Sequence, residues 1–102
     1  MTKFGMLIKF SAKPGSRDAL AAHLSSLVPI AEAEPGTETY IVSVSPAEPD
    51  TVWLLESYLS PEALELHNAN PAIVAAKPLT GSFLAGAPEA FAHVPVAGKG
   101  LL

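Results

Sequence analysis

The chain has 102 residues, a formal charge of −4, and is 49% hydrophobic and 16% charged. Such a length and composition predict one compact domain over residues 1–102 and argue against disorder. No apolar run approaches the ~20 residues of a membrane span. The 6 basic residues form no stripe of the kind nucleic acid requires, and the lack of cysteine excludes disulfides and thiolate metal sites.

The first element is a strand over Lys3 to Ala12, with Phe4, Met6, Ile8 and Phe10 on one face. The start "MTKFGMLIKF" has no signal-peptide pattern, which predicts a cytoplasmic protein. "KPGS" stops the strand, and Ser16 is a candidate cap for a helix from Arg17 to about Glu34. Leu20, Leu24, Leu27 and Ala31 give that helix an apolar face, and Pro29 predicts a kink or break within it. "EPG" (Glu34 to Gly36) ends the helix.

Thr37 to Ser45 reads as the second strand, with Tyr40, Val42 and Val44 on one side. After the turn "SPAEPD", Thr51 to Leu59 is the third. Trp53 and Leu55 share one of its faces; Leu54, Glu56 and Tyr58 share the other. Ser60-Pro61-Glu62 supplies a cap, a first-turn proline and an acid at the positive end of the helix dipole. This second helix ends near Asn70-Pro71. An irregular helical stretch from Pro71 to Phe83, broken at Pro78, and a last strand from Ala87 to Val96 complete the chain. Pro95 places that strand at an edge or at its own end.

The order strand–helix–strand–strand–helix–strand predicts an α+β, ferredoxin-like βαββαβ fold with a four-stranded antiparallel sheet. Its uncovered face would carry Leu7, Ile41, Trp53 and Leu55. A second copy of the chain is the simplest cover for so apolar a surface, which predicts a homodimer, a dimeric α/β barrel.

The stretches "KPGSRDAL", "AEPGTETYIVSVSPAEPDTVWLLESYLSPEAL" and "HNANPAI" resemble the antibiotic biosynthesis monooxygenase family; "ESYLSPEALELH" (Glu56 to His67) is the most specific part. The resemblance runs from about Phe4 to Val96. It implies a dimeric α+β barrel and, among the family's activities, cofactor-free oxygenation of quinols or anthrones, haem degradation, or isomerisation of a phosphorylated sugar. The haem-degrading pattern needs an asparagine on the first strand, a tryptophan at the end of the third, and a histidine beyond the second helix. Here those places hold Ile8 or Lys9, Tyr58 and Lys77, and these departures exclude haem degradation.

His67 shares a helix face with Ala63 and Asn70, toward the sheet. It is either a core histidine bonded to a backbone carbonyl or a catalytic base. Glu56, a carboxylate in an apolar strand, needs a partner once buried and could orient His67. Tyr58 would then hydrogen-bond a substrate oxygen, with Phe10, Tyr40 and Phe83 as the walls of a substrate pocket. Tyr58 and Tyr40 read equally well as core aromatics. His23, His93, Asn68 and Asn70 read as surface or capping residues. The histidines lack metal-ligand spacing and no phosphate loop is present, so no cofactor and no metal are expected.

The expected function is therefore cofactor-independent oxygenation of a small, electron-rich aromatic by O₂, with His67 as base. The alternatives are an isomerase of a small carbonyl compound, with Lys77 or Lys9 as its anion-binding group, and a non-catalytic ligand-binding or stress-related dimer.

Overall fold

The computed structural model describes residues 2–100. Four strands, β1 (Phe4–Ser11), β2 (Thr37–Val44), β3 (Thr51–Tyr58) and β4 (Glu89–His93), form one sheet in the order β2-β3-β1-β4. Every neighbouring pair is antiparallel. Four helical segments, α1 (Arg17–Ser25), α2 (Val28–Glu32), α3 (Pro61–Ala69) and α4 (Pro71–Ser82), fill the two crossovers. This is the ferredoxin-like α+β fold, with each crossover helix split in two.

Register decides which side chains meet. Met6 pairs with Glu56, Ile8 with Leu54 and Phe10 with Val52; Tyr40 pairs with Glu56 and Val42 with Leu54. Directly opposed residues share a sheet face, so these all point one way. Leu20 and Leu24 of α1 pack against Phe10, Ala12, Val52 and Leu54 to make the core, with Ile8, Tyr40, Val42 and Phe83 around it. The other face carries Leu7, Ile41, Trp53, Leu55 and Phe91. Ile41, Leu55 and Phe91 are exposed there, and the Lys9 ammonium lies 5.7 Å from the Trp53 ring centre.

Pro29 marks a full break. The first helix stops at Ser25, and α2 restarts with Pro29 in its first turn, where a missing N–H removes no helical bond. Ser16 stands at the cap position of α1, yet its hydroxyl makes no capping bond. Pro78 behaves differently from the sequence expectation: α4 runs unbroken from Pro71 to Ser82 with Pro78 inside it. Pro78 is exposed, and α4 continues past it, with Ile73 buried and the Thr80 hydroxyl donating to the Ala76 carbonyl at 3.1 Å. The last strand is shorter than expected, ending at His93, two residues before Pro95, and it is an edge strand. Among the described residues no helix is long and apolar enough to cross a membrane.

Gly36 sets how closely α3 approaches the sheet. A Cβ there would lie 2.6 Å from Ala63 Cβ, so only glycine lets α3 sit this close to the start of β2. The Gly36 carbonyl also accepts the Leu59 N–H at 3.0 Å. The chain just past α2 is thereby held beside the buried face of α3.

Candidate active site

Ser60 caps α3 by accepting the Ala63 N–H at 3.2 Å. The cap fixes the rotation of the helix, and Ala63 and His67, one turn apart, are its buried residues. His67 is 4% exposed. Its Nδ1 lies 2.6 Å from Glu34 Oε1. The same oxygen accepts the Thr37 hydroxyl at 3.0 Å, and Oε2 accepts the Asn70 amide at 2.9 Å. Burial pushes the Glu34 carboxyl up. The bonds from His67, Asn70 and Thr37 and the nearby imidazole charge outweigh it, and the group ends below its ordinary value. Glu34 is thus ionised at neutral pH and can only accept hydrogen bonds. The proton on that contact belongs to His67 Nδ1, which leaves Nε2 with its lone pair in the neutral ring.

Nε2 faces the second carboxylate. Glu56 Oε2 is 3.8 Å away, and Glu56 Oε1 accepts the Tyr58 hydroxyl at 2.9 Å. Burial raises Glu56 above its ordinary value, and Glu34 adds to the rise; the Tyr58 hydrogen bond and the His67 charge only partly oppose it. At 3.8 Å, Nε2 and Oε2 are too far apart for a direct hydrogen bond. One oxygen atom can touch both.

A cavity of about 470 Å³ opens onto this pair. Phe10, Leu24, Tyr40, Leu54, Glu56 and His67 line its inner part, and α4 contributes Ile73, Ala76, Lys77 and Thr80. The Tyr40 hydroxyl donates to the Leu24 carbonyl at 3.2 Å, and its ring centre is 6.2 Å from that of His67. Burial raises both tyrosine hydroxyls, with the two glutamates adding to the effect, so neither phenol acts as a base. Among the described residues no group of three or more His, Asp or Glu side chains is placed to hold a metal ion.

The structure brings His67, Glu56, Phe10 and Tyr40 to one cavity, and corrects three expectations. Tyr58 is fully buried and does not line the cavity; its hydroxyl is committed to Glu56 and is not free for a substrate. Phe83 sits at the end of α4 against the core, with its ring 6.0 Å from that of His23, and is no part of the wall. The residue that orients His67 is Glu34, with Glu56 across from the other ring nitrogen. Glu34 reads in the sequence as part of a helix stop. A signal was available: an acid just past a helix C-terminus meets the negative end of the dipole and needs other partners. Asn70, read as a cap at the end of a helix, holds that position in α3 and also caps the start of α4 through Oδ1, which accepts the Ala72 N–H at 3.1 Å, while its amide nitrogen serves Glu34.

The sequence pattern of the antibiotic biosynthesis monooxygenase family matches residues 3–79, from β1 into α4. The chain belongs to this family. Glu34, Glu56, His67, Asn70 and Lys77 all fall within the matched stretch. Among solved structures, a protein from Chloroflexus aurantiacus named as a candidate antibiotic biosynthesis monooxygenase is 34% identical, with 97% of this chain and 98% of that chain covered and a TM-score of 0.83. The NE2512 protein of unknown function from Nitrosomonas europaea is 26% identical, covering 97% and 94%, with a TM-score of 0.84. Another candidate monooxygenase from the same organism is 14% identical, covers 97% and 95%, and has a TM-score of 0.89; at that identity the likeness is one of fold. No curated protein matches the chain.

Proposed function

We propose that this protein is a cofactor-independent monooxygenase of electron-rich aromatics such as hydroquinones or anthrones. One observation carries the reading: a buried imidazole with its tautomer fixed by Glu34 presents Nε2 to an apolar cavity beside a second carboxylate. In this chemistry the substrate supplies the electrons, so the protein has three tasks. It must take a proton, hold the ring, and keep water from the intermediates.

His67 Nε2 takes the proton of a substrate hydroxyl placed between it and Glu56 Oε2. The resulting anion gives one electron to O₂, and the radical pair joins as a carbon–oxygen bond. His67 returns the proton to the peroxide. The O–O bond then breaks, and the leaving hydroxide departs as water with the proton of the same carbon. A carbonyl remains. One oxygen atom stays in the product and the other is in the water.

The apolar face of Leu7, Ile41, Trp53, Leu55 and Phe91 supports a homodimer, with two sheets facing each other. Light scattering coupled to gel filtration should give twice the chain mass at micromolar concentration; a monomer mass at high concentration would refute the arrangement.

A second reading has its own support. Two atoms able to exchange a proton with a substrate, 3.8 Å apart on one cavity wall, also suit an isomerase that moves a proton between neighbouring carbons of a carbonyl compound. Oxygen uptake with a panel of dihydroxynaphthalenes and anthrones separates the two. Uptake abolished in His67→Ala supports the oxygenase. Proton exchange into a ketone substrate without uptake supports the isomerase.

A further inference from the structure

The charges around the main cavity are unevenly placed. Glu56 and His67 lie at its buried end, and Lys77 of α4 is the one lysine or arginine among its lining residues. Lys77 is exposed, as is Asn68 of α3, which also lines the cavity. These two side chains mark the solvent side of a space whose remaining wall is largely apolar. Among the described residues Lys77 takes part in none of the ion pairs.

We infer that the cavity takes a hydroxyarene bearing one ionised carboxylate, with its hydroxyl at His67 and its carboxylate at Lys77 and Asn68. This deepens the oxygenase reading and rests on it for the group that reacts. Two arguments fix the orientation. A carboxylate that arrives already ionised is repelled from the inner end, where Glu34 lies behind His67 and Glu56 lines the wall, whereas an oxyanion formed there is balanced by the proton that His67 has just taken. At the solvent side an ammonium and an amide both offer donors to a carboxylate, and a charge-assisted hydrogen bond is stronger than a neutral one. The chain as a whole carries −4, so without Lys77 an acidic ligand would meet a field of its own sign. The aromatic ring then spans the apolar middle, beside Leu54, Ala76 and Ile73.

The test compares two probes with the same ring: 6-hydroxy-2-naphthoate, with its two groups at opposite ends, and 2-naphthol. Binding is measured by titration calorimetry without oxygen, so it does not depend on turnover. The acid should bind the wild-type protein about three- to tenfold tighter than the neutral phenol, the range for a single partly screened ion pair with a charged hydrogen bond. The preference should weaken with added salt, disappear in Lys77→Met and survive in Lys77→Arg. Equal affinities, a preference unchanged in Lys77→Met, or no binding of either probe would overturn the inference. Failure of the oxygenase reading looks different: the acid is preferred and Lys77-dependent, yet no substrate consumes oxygen.

Discussion

Four inward-facing residues of β3 divide the protein in two. Val52, Leu54, Glu56 and Tyr58 alternate along one strand face and are 0%, 3%, 5% and 0% exposed. Burial is therefore equal, and only chemistry separates the halves. Val52 and Leu54 belong to the core with Phe10, Leu20 and Leu24, where shape and apolar area suffice. Glu56 and Tyr58 face His67, and there every polar atom needs a partner. Among the described residues every fully enclosed side-chain nitrogen and oxygen has a hydrogen bond, and His67 Nε2 and Glu56 Oε2, 3.8 Å apart at the cavity, are the pair left for a ligand. The apolar half can lose a group and keep its kind of interaction. The polar half works as a unit, since removing one member strands another.

That contrast makes four predictions, taken from the largest effect down. His67→Ala should lower turnover by roughly 10²–10⁴-fold, the usual loss for a positioned acid–base group, while the protein stays folded. Steady-state rates and a melting curve on the same sample check both. Near-normal activity at a temperature where the variant is folded would place His67 with the core residues. Leu20→Ala, in the apolar half, should do the reverse. It should cost about 2–5 kcal/mol of stability, read by urea titration, and leave activity per folded molecule close to wild type.

Glu34→Gln should slow turnover by about ten- to a hundredfold, since it removes the carboxylate that fixes the imidazole. In the His67→Ala background it should add little, because residues acting together are not additive. It should also change the acid limb of stability. Glu34 sits below its ordinary value when folded, so its ionised form stabilises the fold at neutral pH. That contribution is lost as pH falls from the ordinary carboxylate range through the folded value. The stability gap between wild type and Glu34→Gln should therefore close in acid.

Glu56→Gln is the smallest change and has the opposite sign. Glu56 is raised on folding, so stability is lost as pH climbs from the ordinary carboxylate range through the folded value. The glutamine variant should melt higher than wild type at neutral pH, with the gain vanishing in acid. Its rate should fall less than that of His67→Ala. A variant that melts lower at neutral pH would mean that ionised Glu56 is a stabilising partner of His67.

The sequence shows the apolar half more fully than the polar one, for a physical reason. Alternation along β1 and β3 and the Ser60-Pro61 cap are local patterns, and they lead to the right faces and the right start of α3. Phe10, Tyr40, Glu56 and His67 follow from those faces. The contact between Glu34 and His67 spans 33 residues, and no local periodicity encodes it. Glu34 stands in a Glu-Pro-Gly stop, where its side chain has no assigned face. Alternation puts Tyr58 on the correct face, but a face does not say whether a hydroxyl meets a cavity or a neighbouring carboxylate. Pro78 shows the limit of a breaker rule: one missing backbone bond on an exposed side does not end a helix anchored elsewhere.

Asn70 joins α3 to α4 with one planar group. Its oxygen holds the first turn of α4, so its nitrogen has a fixed direction, toward Glu34. The amide thus works as a rigid lever between a helix joint and a carboxylate. Prying α3 from α4 on the side of Asn68 and Lys77 would turn the lever and free one Glu34 oxygen. The imidazole held by the other oxygen would lose part of its anchorage in the same movement. The spacing of α3 from α4 and the alignment of the imidazole are thereby tied together through one side chain.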